Sequence, residues 1–554
     1  MTTSVTEPGT RAGVRAPRDA AGSAPRVAAE AAAVGALALA VRLPGLAHEP
    51  WGDELYHILS ARQYLETGVL GINGGLYQRD AAYSYMVAAL YRVFGDGAVI
   101  ARLPALAAGI LTILVLFLWI RRGGDRLAAW IAAIVAIFTP TLIEQAQYAR
   151  AYPLHHLFVL LAAVALSALL AVPRPPAVRA FSIGIGGVLA LFVAMYFQQL
   201  TLIAAAGLAI GAALLAGPRL VARVSRRRLL IAAAGVAALI VAGVMVAQTT
   251  GVIDRMLRMA TYSDMWAERN RGEFRFYHWM MLANFPTAWT LFPVIVLLAL
   301  LRAPRLAVLA TSVFVVAFVT HSTIAWKAAR YFSYALPFFA LLVGLGVAEA
   351  VPIVRQALRR LLPGRPLAVL RWVAALGLVL FLVVTNHAFV RSGRLMLRDP
   401  QFLYPGGQTP TLSWSLAQPA LAPVIAESDV VVSTEDLEAL YFFDRLDYVL
   451  DRDHLRQGAP KPEFTVDGRI EAQMIGEESS LRRVVACHES GVLIAMRWAL
   501  SSYKMAPETS EFIRRELEEV PLPRKSGLVA YRWHGRVPAA ARRCEGLPIS
   551  SRER

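Results

Sequence analysis

Charge is what this sequence has least of. Asp, Glu, Lys and Arg make up only 17% of its 554 residues, against about 25% in ordinary soluble domains. Lysine is nearly missing, with only Lys327, Lys461, Lys504 and Lys525. The two cysteines, Cys487 and Cys544, allow one disulfide at most and exclude a disulfide-built scaffold. There is no GxGxxG, Walker loop, HExxH, CxxC pair or His-rich tract, so neither a nucleotide fold nor a zinc site has a motif behind it. A net charge of +17 raises the question of nucleic acid. The arginines fall between apolar segments, however, and form no basic stripe interleaved with aromatics, which excludes a nucleic-acid partner.

What the sequence has is hydrophobicity: 57% apolar residues and a mean hydropathy of +0.50. A helix crosses a bilayer with roughly 20 mostly apolar residues. Such stretches lie near 28–46, 97–120, 127–144, 153–171, 180–198, 200–216, 229–248, 286–301, 306–325, 331–351 and 369–390. The expected fold class is therefore a polytopic α-helical membrane protein of about eleven transmembrane helices. Residues 1–27, rich in Ala, Gly, Pro and Arg, read as a disordered cytoplasmic tail. A signal peptide also fits there, but the chain stays apolar long afterwards, which favours an uncleaved first helix.

The arginines label the two sides. The groups Arg121, Arg122 and Arg126; Arg174 and Arg179; Arg219, Arg223 and Arg226 to Arg228; Arg302 and Arg305; and Arg355 to Arg371 alternate along the chain. Placing them all in the cytoplasm satisfies the positive-inside rule. The loop with Asp53 and Glu54, the turns at Arg150 and Lys327, the segment 249–285 and everything after residue 390 then face outward. Residues 28–390 form the membrane domain, and 391–554 a soluble extracytoplasmic domain.

The outward-facing charges are the exceptions that need a reason. "WGDELYH", 51–57, sets two carboxylates and a histidine directly after the first span. Lys327 and Arg330 in "WKAARYFSYALPFF", 326–339, are three residues apart. On a helix they can grip one anion, or simply snorkel to headgroups. Arg150 in "EQAQYARAYPLHH", 144–156, stands between Tyr148 and Tyr152, either as an interface anchor or as a second anion-binding cation. Arg79 in "GLYQRDAAYSYMVAALYRVFG", 75–95, adds a fourth cation on a stretch that lies along the membrane surface rather than crossing it. Together, carboxylates and cations converge at the level of lipid phosphates, which suits chemistry on a lipid-linked phosphate.

An acidic pair after the first span, a surface segment ending in "FG", an Arg-Tyr turn after the third span and "RYFSYALPFFALLVG" occur in this order. The sequence resembles the GT-C membrane glycosyltransferases, in the branch that includes protein O-mannosyltransferases and the aminoarabinose transferase of lipid A. The likeness covers roughly residues 28–350. It implies an inverting transfer of a sugar from a polyprenyl-phosphate donor to an acceptor hydroxyl on a lipid, glycan or protein, at the outer face of a bacterial cytoplasmic membrane. It maps the family's acidic site onto Asp53 and Glu54. "YQRDAAY" stands where a Lys-Pro-Pro is usual, so Arg79 is expected to supply the cation there. Arg150, Lys327 and Arg330 then hold the donor phosphate.

The residue-level chemistry agrees. An attacking hydroxyl needs a carboxylate base, and neighbouring residues on a helix diverge by about 100°, so Asp53 is assigned as base and Glu54 as an orienting or acceptor-binding group. His57, four residues after Asp53, shares its helix face; an Asp-His hydrogen bond or a divalent metal both fit that spacing. No cofactor is otherwise indicated. Tyr83, Tyr148, Tyr152 and Tyr331 accompany the charged motifs and are expected at the substrate. The loop 258–286, with Arg269, Arg271, Arg275, Tyr277, His278 and Trp279, reads as a lid over the donor sugar or as an amphipathic interface segment.

In the C-terminal portion "SDVVVSTEDLEALYFFDRLDYVL", 428–450, reads as strand, helix, strand. "GVLIAMRWAL", 491–500, and "GLVAYRWH", 527–534, read as further strands, with a charged helix near 508–520, giving a small α/β domain. Two other functions compete with transfer: a lipid-linked glycan transporter or flippase, and a non-catalytic membrane scaffold. Transport calls for charges at the helix centres, which are nearly charge-free here, and a scaffold has no need of converging charges.

Overall fold

Apolar runs punctuated by proline, glycine and arginine set the helices of the membrane half. A computed structural model describes residues 24–171, 176–223, 245, 248, 249, 251, 273–324, 327–362, 365–397, 413–451, 464–501 and 505–535. Residues 1–23, the expected span 229–248 apart from residues 245 and 248, Arg269 and Arg271 of the expected lid, the labels Arg174 and Arg226 to Arg228, and Cys544 lie outside these. The chain begins with α1 (Ala24–Arg42), α2 (Leu55–Thr67), α3 (Ala81–Phe94), α4 (Ala98–Arg122), α5 (Arg126–Ile137), α6 (Pro140–Ala146), α7 (Tyr152–Ala171), α8 (Ala177–Phe197) and α9 (Thr201–Arg223). It continues with α10 (Phe276–Asn284), α11 (Pro286–Thr290), α12 (Phe292–Arg302), α13 (Pro304–Thr323), α14 (Ala329–Phe332), α15 (Leu336–Leu361), α16 (Leu367–Thr385) and α17 (His387–Leu397). Among the described residues eight helical segments are long and apolar enough to cross a membrane, or nine if the bent pair α5–α6 is one span. The helix α1 takes in residues 24–27, which the composition had assigned to the tail. The stretch 286–301 is two helices, each opened by a proline in its first turn.

The break between α5 and α6 shapes the site. Thr139 is extended (φ −83°, ψ 113°) and precedes Pro140. A residue before proline avoids the helical region, because the ring crowds its backbone, so the span bends by 65° there. This aims α6 and the turn after it at the loop that follows α1.

The helix α15 is the buried centre of the bundle. Its Gly344 packs so closely on α5 that a Cβ would lie 2.5 Å from the Ala128 carbonyl oxygen. Small residues at such crossings let backbones approach where lipid offers no hydrophobic drive between helices. Arg121 and Arg126 close on Glu30, and Arg302 on Asp125 and Glu349, at one end of the bundle. The Asp53 loop, the Arg150 turn and Arg330 lie together at the other.

The C-terminal domain is a seven-stranded sheet in the order β5-β6-β4-β3-β7-β9-β8. Its strands are β3 (Val430–Ser433), β4 (Tyr448–Leu450), β5 (Thr465–Asp467), β6 (Ala472–Ile475), β7 (Ser490–Met496), β8 (Glu518–Val520) and β9 (Leu528–His534), β1 (Gly71–Ile72) and β2 (Gly75–Leu76) being a hairpin in the membrane half. Strands β6, β4, β3 and β7 are parallel and the outer pairings antiparallel. The run Val430 to Ser433 is buried throughout, as a central parallel strand covered on both faces must be. Helices α18 (Trp414–Glu427), α19 (Asp436–Phe443), α20 (Glu478–Cys487) and α21 (Pro507–Glu516) cover it. Cys487 is disulfide-bonded.

The two halves share one apolar cluster, in which Leu55, Ile58 and Tyr83 pack with Leu437, Leu440, Ile470 and Met474. Polar ties surround it. Glu49 accepts from Ser413 and Ser415 hydroxyls at 3.0 and 2.8 Å, and Asn73 donates to the Ile470 carbonyl at 3.0 Å.

Candidate active site

The site starts from an arginine inside an apolar helix. Arg102, on the first turns of α4, is fully buried. Its Nη1 donates to the carbonyls of Leu46 and His48, both at 2.7 Å. Its Nε and Nη2 hold the two oxygens of Glu54 at 2.9 and 2.6 Å. The Glu54 carboxylate also accepts the backbone N–H of Ala149 at 3.0 Å and of Trp51 at 3.3 Å. Burial pushes its pKa up, and the Arg102 charge with these donors more than offsets this, so it lies below the ordinary carboxylate range. Glu54 therefore fastens the loop after α1 to both α4 and the turn after α6. With no exposure at all it cannot reach an acceptor, which corrects the acceptor-binding alternative expected for it.

Asp53 has the opposite setting. Its side chain is 42% exposed, and Oδ2 lies 3.3 Å from Arg150 Nη1 and 3.6 Å from Arg330 Nη2. Arg150 also donates to the Asp53 carbonyl oxygen at 3.0 Å. Burial in the cleft pushes the Asp53 carboxyl up, and the charges of Arg150, Arg330 and Arg79 outweigh it and hold it below its usual value. The two arginines repeat one motif: Arg150 lies 5.6 Å over the Tyr152 ring and Arg330 5.3 Å over Tyr331, and the two tyrosine rings are 6.5 Å apart. Arg79 is exposed and acts on Asp53 through its charge. Asp53, Arg79, Arg150, Arg330, Tyr152 and Tyr331 are thus brought together.

The remaining expected residues are not. Asp53 belongs to a 3-10 turn, Gly52–Glu54, that runs into α2 at Leu55; His57 stays near enough for the two to feel each other's charge, but the expected Asp53–His57 hydrogen bond is not made. His57 instead sets Nδ1 3.0 Å from Ser84 Oγ. Burial, with the charges of Arg150 and Arg79, pushes it well below its usual pKa, so it is neutral at neutral pH. Lys327 lies outside Arg330's helix, because α14 starts at Ala329. Its buried Nζ donates to the carbonyls of His321, Ser322 and Ile324 at 2.9, 2.6 and 2.5 Å, capping the end of α13. All three ammonium donors are thereby spent, so the anion grip expected of Lys327 with Arg330 is not open to Lys327.

Tyr83 is buried and donates to the Ala101 carbonyl at 2.9 Å. Tyr148 donates to the Trp51 carbonyl at 2.7 Å and so braces the turn from behind. Tyr277 is wholly buried with its hydroxyl 3.1 Å from the Ala328 carbonyl, so it offers no face to a sugar, and His278 is half-buried and accepts from Trp289 at 3.0 Å. Among the described residues, no three His, Cys, Asp or Glu side chains gather as metal ligands.

Three functional residues escaped the sequence. Arg102 carried a usable signal, a cation a few residues inside an apolar run, where only a paired or working charge persists. Arg469, whose guanidinium contacts the Tyr56 hydroxyl and Asp467, and Glu438, whose Oε1 accepts the Gly52 N–H at 2.7 Å, reach the site from the C-terminal domain and carried none.

No protein-family model matches the sequence, and no curated protein does. Solved structures do match. ArnT from Cupriavidus metallidurans in the apo state is 14% identical with a TM-score of 0.58, covering 92% of this chain and 97% of that one. The same protein bound to undecaprenyl phosphate is 16% identical with a TM-score of 0.56, covering 92% and 98%. The oligosaccharyltransferase AglB from Archaeoglobus fulgidus, in complex with an inhibitory peptide and a dolichol-phosphate, is 12% identical with a TM-score of 0.55, covering 86% and 70%. Both are GT-C glycosyltransferases, and the fold of this chain is the GT-C fold, a multi-pass helical membrane domain followed by a sheet-containing C-terminal domain.

Proposed function

We propose that the protein is an inverting glycosyltransferase that moves a sugar from a polyprenyl-phosphate donor to an acceptor hydroxyl. The observation that carries this is the half-exposed Asp53 carboxylate between Arg150 and Arg330, at 3.3 and 3.6 Å. The undecaprenyl phosphate and dolichol-phosphate bound by the structural neighbours support a lipid-phosphate ligand. The reading places the site and the C-terminal domain on the extracytoplasmic side of a bacterial cytoplasmic membrane, as the arginine labels imply; a disulfide at Cys487 fits that oxidising compartment.

In this reading Asp53 keeps the arginines charge-balanced until the donor arrives. The donor phosphate then takes over Arg150 and Arg330, with Arg79 at the rim. Released from them, Asp53 rises toward the ordinary carboxylate pKa and becomes a better base. The acceptor oxygen forms a bond to the anomeric carbon as the bond from that carbon to the phosphate oxygen breaks. The hydroxyl proton passes to Asp53, and the bond's electron pair leaves with polyprenyl phosphate, whose growing charge the arginines stabilise.

The test uses the purified full chain in detergent with a panel of radiolabelled polyprenyl-phosphate sugars, comparing wild type with Asp53→Asn. Label is expected to pass from one donor to added membrane-lipid or cell-wall acceptors and to stop in the variant, with polyprenyl-phosphate binding retained. Binding of no donor would overturn the reading and favour a transporter or scaffold.

A further inference from the structure

Side chains hold the backbone of residues 51–53 at four points. The Trp51 carbonyl accepts from Tyr148 at 2.7 Å, the Trp51 N–H donates to Glu54 at 3.3 Å, and the Asp53 carbonyl accepts from Arg150 at 3.0 Å. These three partners belong to the membrane domain. The fourth restraint, and the shortest of the loop's backbone N–H bonds, comes from elsewhere: Glu438 on α19 of the C-terminal domain accepts the Gly52 N–H at 2.7 Å. Gly52 adopts φ +57°, a left-handed conformation that lets the chain reverse into the 3-10 turn and present Asp53 to the cleft. The Trp51 carbonyl and the Gly52 N–H belong to one planar peptide, which Tyr148 and Glu438 hold from its two sides; without Glu438 it is tethered at the carbonyl alone, and Asp53 is less firmly set between the arginines.

We infer that Glu438 is a positioning residue for the transfer reaction, fixing the Gly52 turn so that Asp53 stands between Arg150 and Arg330. The surroundings are built for this. Glu438 is buried at 5% exposure, and its neighbours Leu437, Ala439 and Leu440 pack against Leu55 and Ile58 of α2. One turn further along α2's first residues, the Arg469 guanidinium contacts the Tyr56 hydroxyl and lies 3.9 Å from Asp436, so the C-terminal domain grips the loop on both sides of Asp53. The C-terminal domain is thereby part of the transfer site rather than a separate acceptor module. This rests on the reading of Asp53 as the base.

The test compares Glu438→Gln, which keeps an acceptor oxygen at the same reach, with Glu438→Asp, which keeps the charge and withdraws it by one methylene. Glu438→Ala is the harsher third variant. The readouts are kcat, KM for the donor, binding of polyprenyl phosphate alone, and hydrogen exchange of the peptide containing the Gly52 amide. The half-buried Gly52 N–H loses its bond to a charged acceptor, so exchange there should quicken about tenfold or more in the Asp and Ala variants. In those variants kcat should fall by about the same factor, with KM and lipid-phosphate binding within twofold. Glu438→Gln should stay within threefold of wild type on every readout.

The opposite pattern, Asp active and Gln inactive, would mean that the charge matters rather than the reach, and would overturn the proposal. So would exchange at Gly52 that is the same in all four proteins. Should no donor be turned over by any of them, the assignment of the reaction fails, while the exchange data still decide whether Glu438 holds the turn.

Discussion

Replacing Glu54 by glutamine separates a brace from a base. The carboxylate has no exposure and accepts four hydrogen bonds, two from Arg102 and one each from Ala149 and Trp51. An amide has one oxygen for these four donors, and its NH2 faces at least one of them. Arg102 keeps its bonds to Leu46 and His48 but becomes a buried cation with no counter-charge. Stranding one partner of a buried pair costs about 3–5 kcal/mol. In a chain of this length that corresponds to a fall of at least about 3 °C in the unfolding midpoint. Near-UV circular dichroism in lipid-detergent micelles reads this directly. Removing the stranded charge as well, in Glu54→Gln/Arg102→Met, should recover part of the loss, giving a coupling of about 2 kcal/mol or more between the sites. Activity per folded molecule should fall far less than in Asp53→Asn. A Glu54→Gln protein with wild-type melting and no transfer would refute the reasoning and make Glu54 the base.

Three further outcomes follow from the same geometry. Arg150→Gln or Arg330→Gln should weaken polyprenyl-phosphate binding about tenfold, the scale of a charge-assisted hydrogen bond; titration of a fluorescent lipid phosphate measures it, and Lys327→Gln should leave it unchanged because that amine is spent on carbonyls. The Glu54 pKa is lowered in the folded protein, so its stabilisation is complete above the ordinary carboxylate pKa of about 4.3 and is lost as pH falls below that toward the folded value. Melting midpoints between pH 6 and pH 3.5 should therefore drop more steeply in wild type than in Glu54→Gln/Arg102→Met. Finally, Gly344→Val should lower the yield of folded protein in size-exclusion profiles, since its Cβ would lie 2.5 Å from the Ala128 carbonyl oxygen.

What was legible in the sequence was what depends on short windows. Apolar length places the spans, because a bilayer-crossing helix satisfies its own backbone and needs no distant partner. Asp53 was legible as a carboxylate at the end of a span, and Arg150 and Arg330 as cations on the wrong side of a charge rule. Partners were not legible. His57 spends its Nδ1 on Ser84 rather than on Asp53, and a helix that starts at Ala329 leaves Lys327 outside Arg330's helix. That Glu54 is a buried brace rather than an acceptor-binding group depends on Arg102, 48 positions away. In the C-terminal domain the central strands stood out by their β-branched runs, whereas the short β5–β6 hairpin and the contacts of Glu438 and Arg469 depend on tertiary packing alone.

The Gly52–Glu438 bond spans 386 positions of chain. A ribosome will have finished the first span and its acidic loop long before α19 emerges, so the nascent membrane half holds its carboxylate and arginines on an incomplete mount. On the positioning role inferred for Glu438, that mount is complete only once the last third of the polypeptide has folded against it. A copy cut short before α19 would keep its membrane helices yet lack the bond that completes the Gly52 turn.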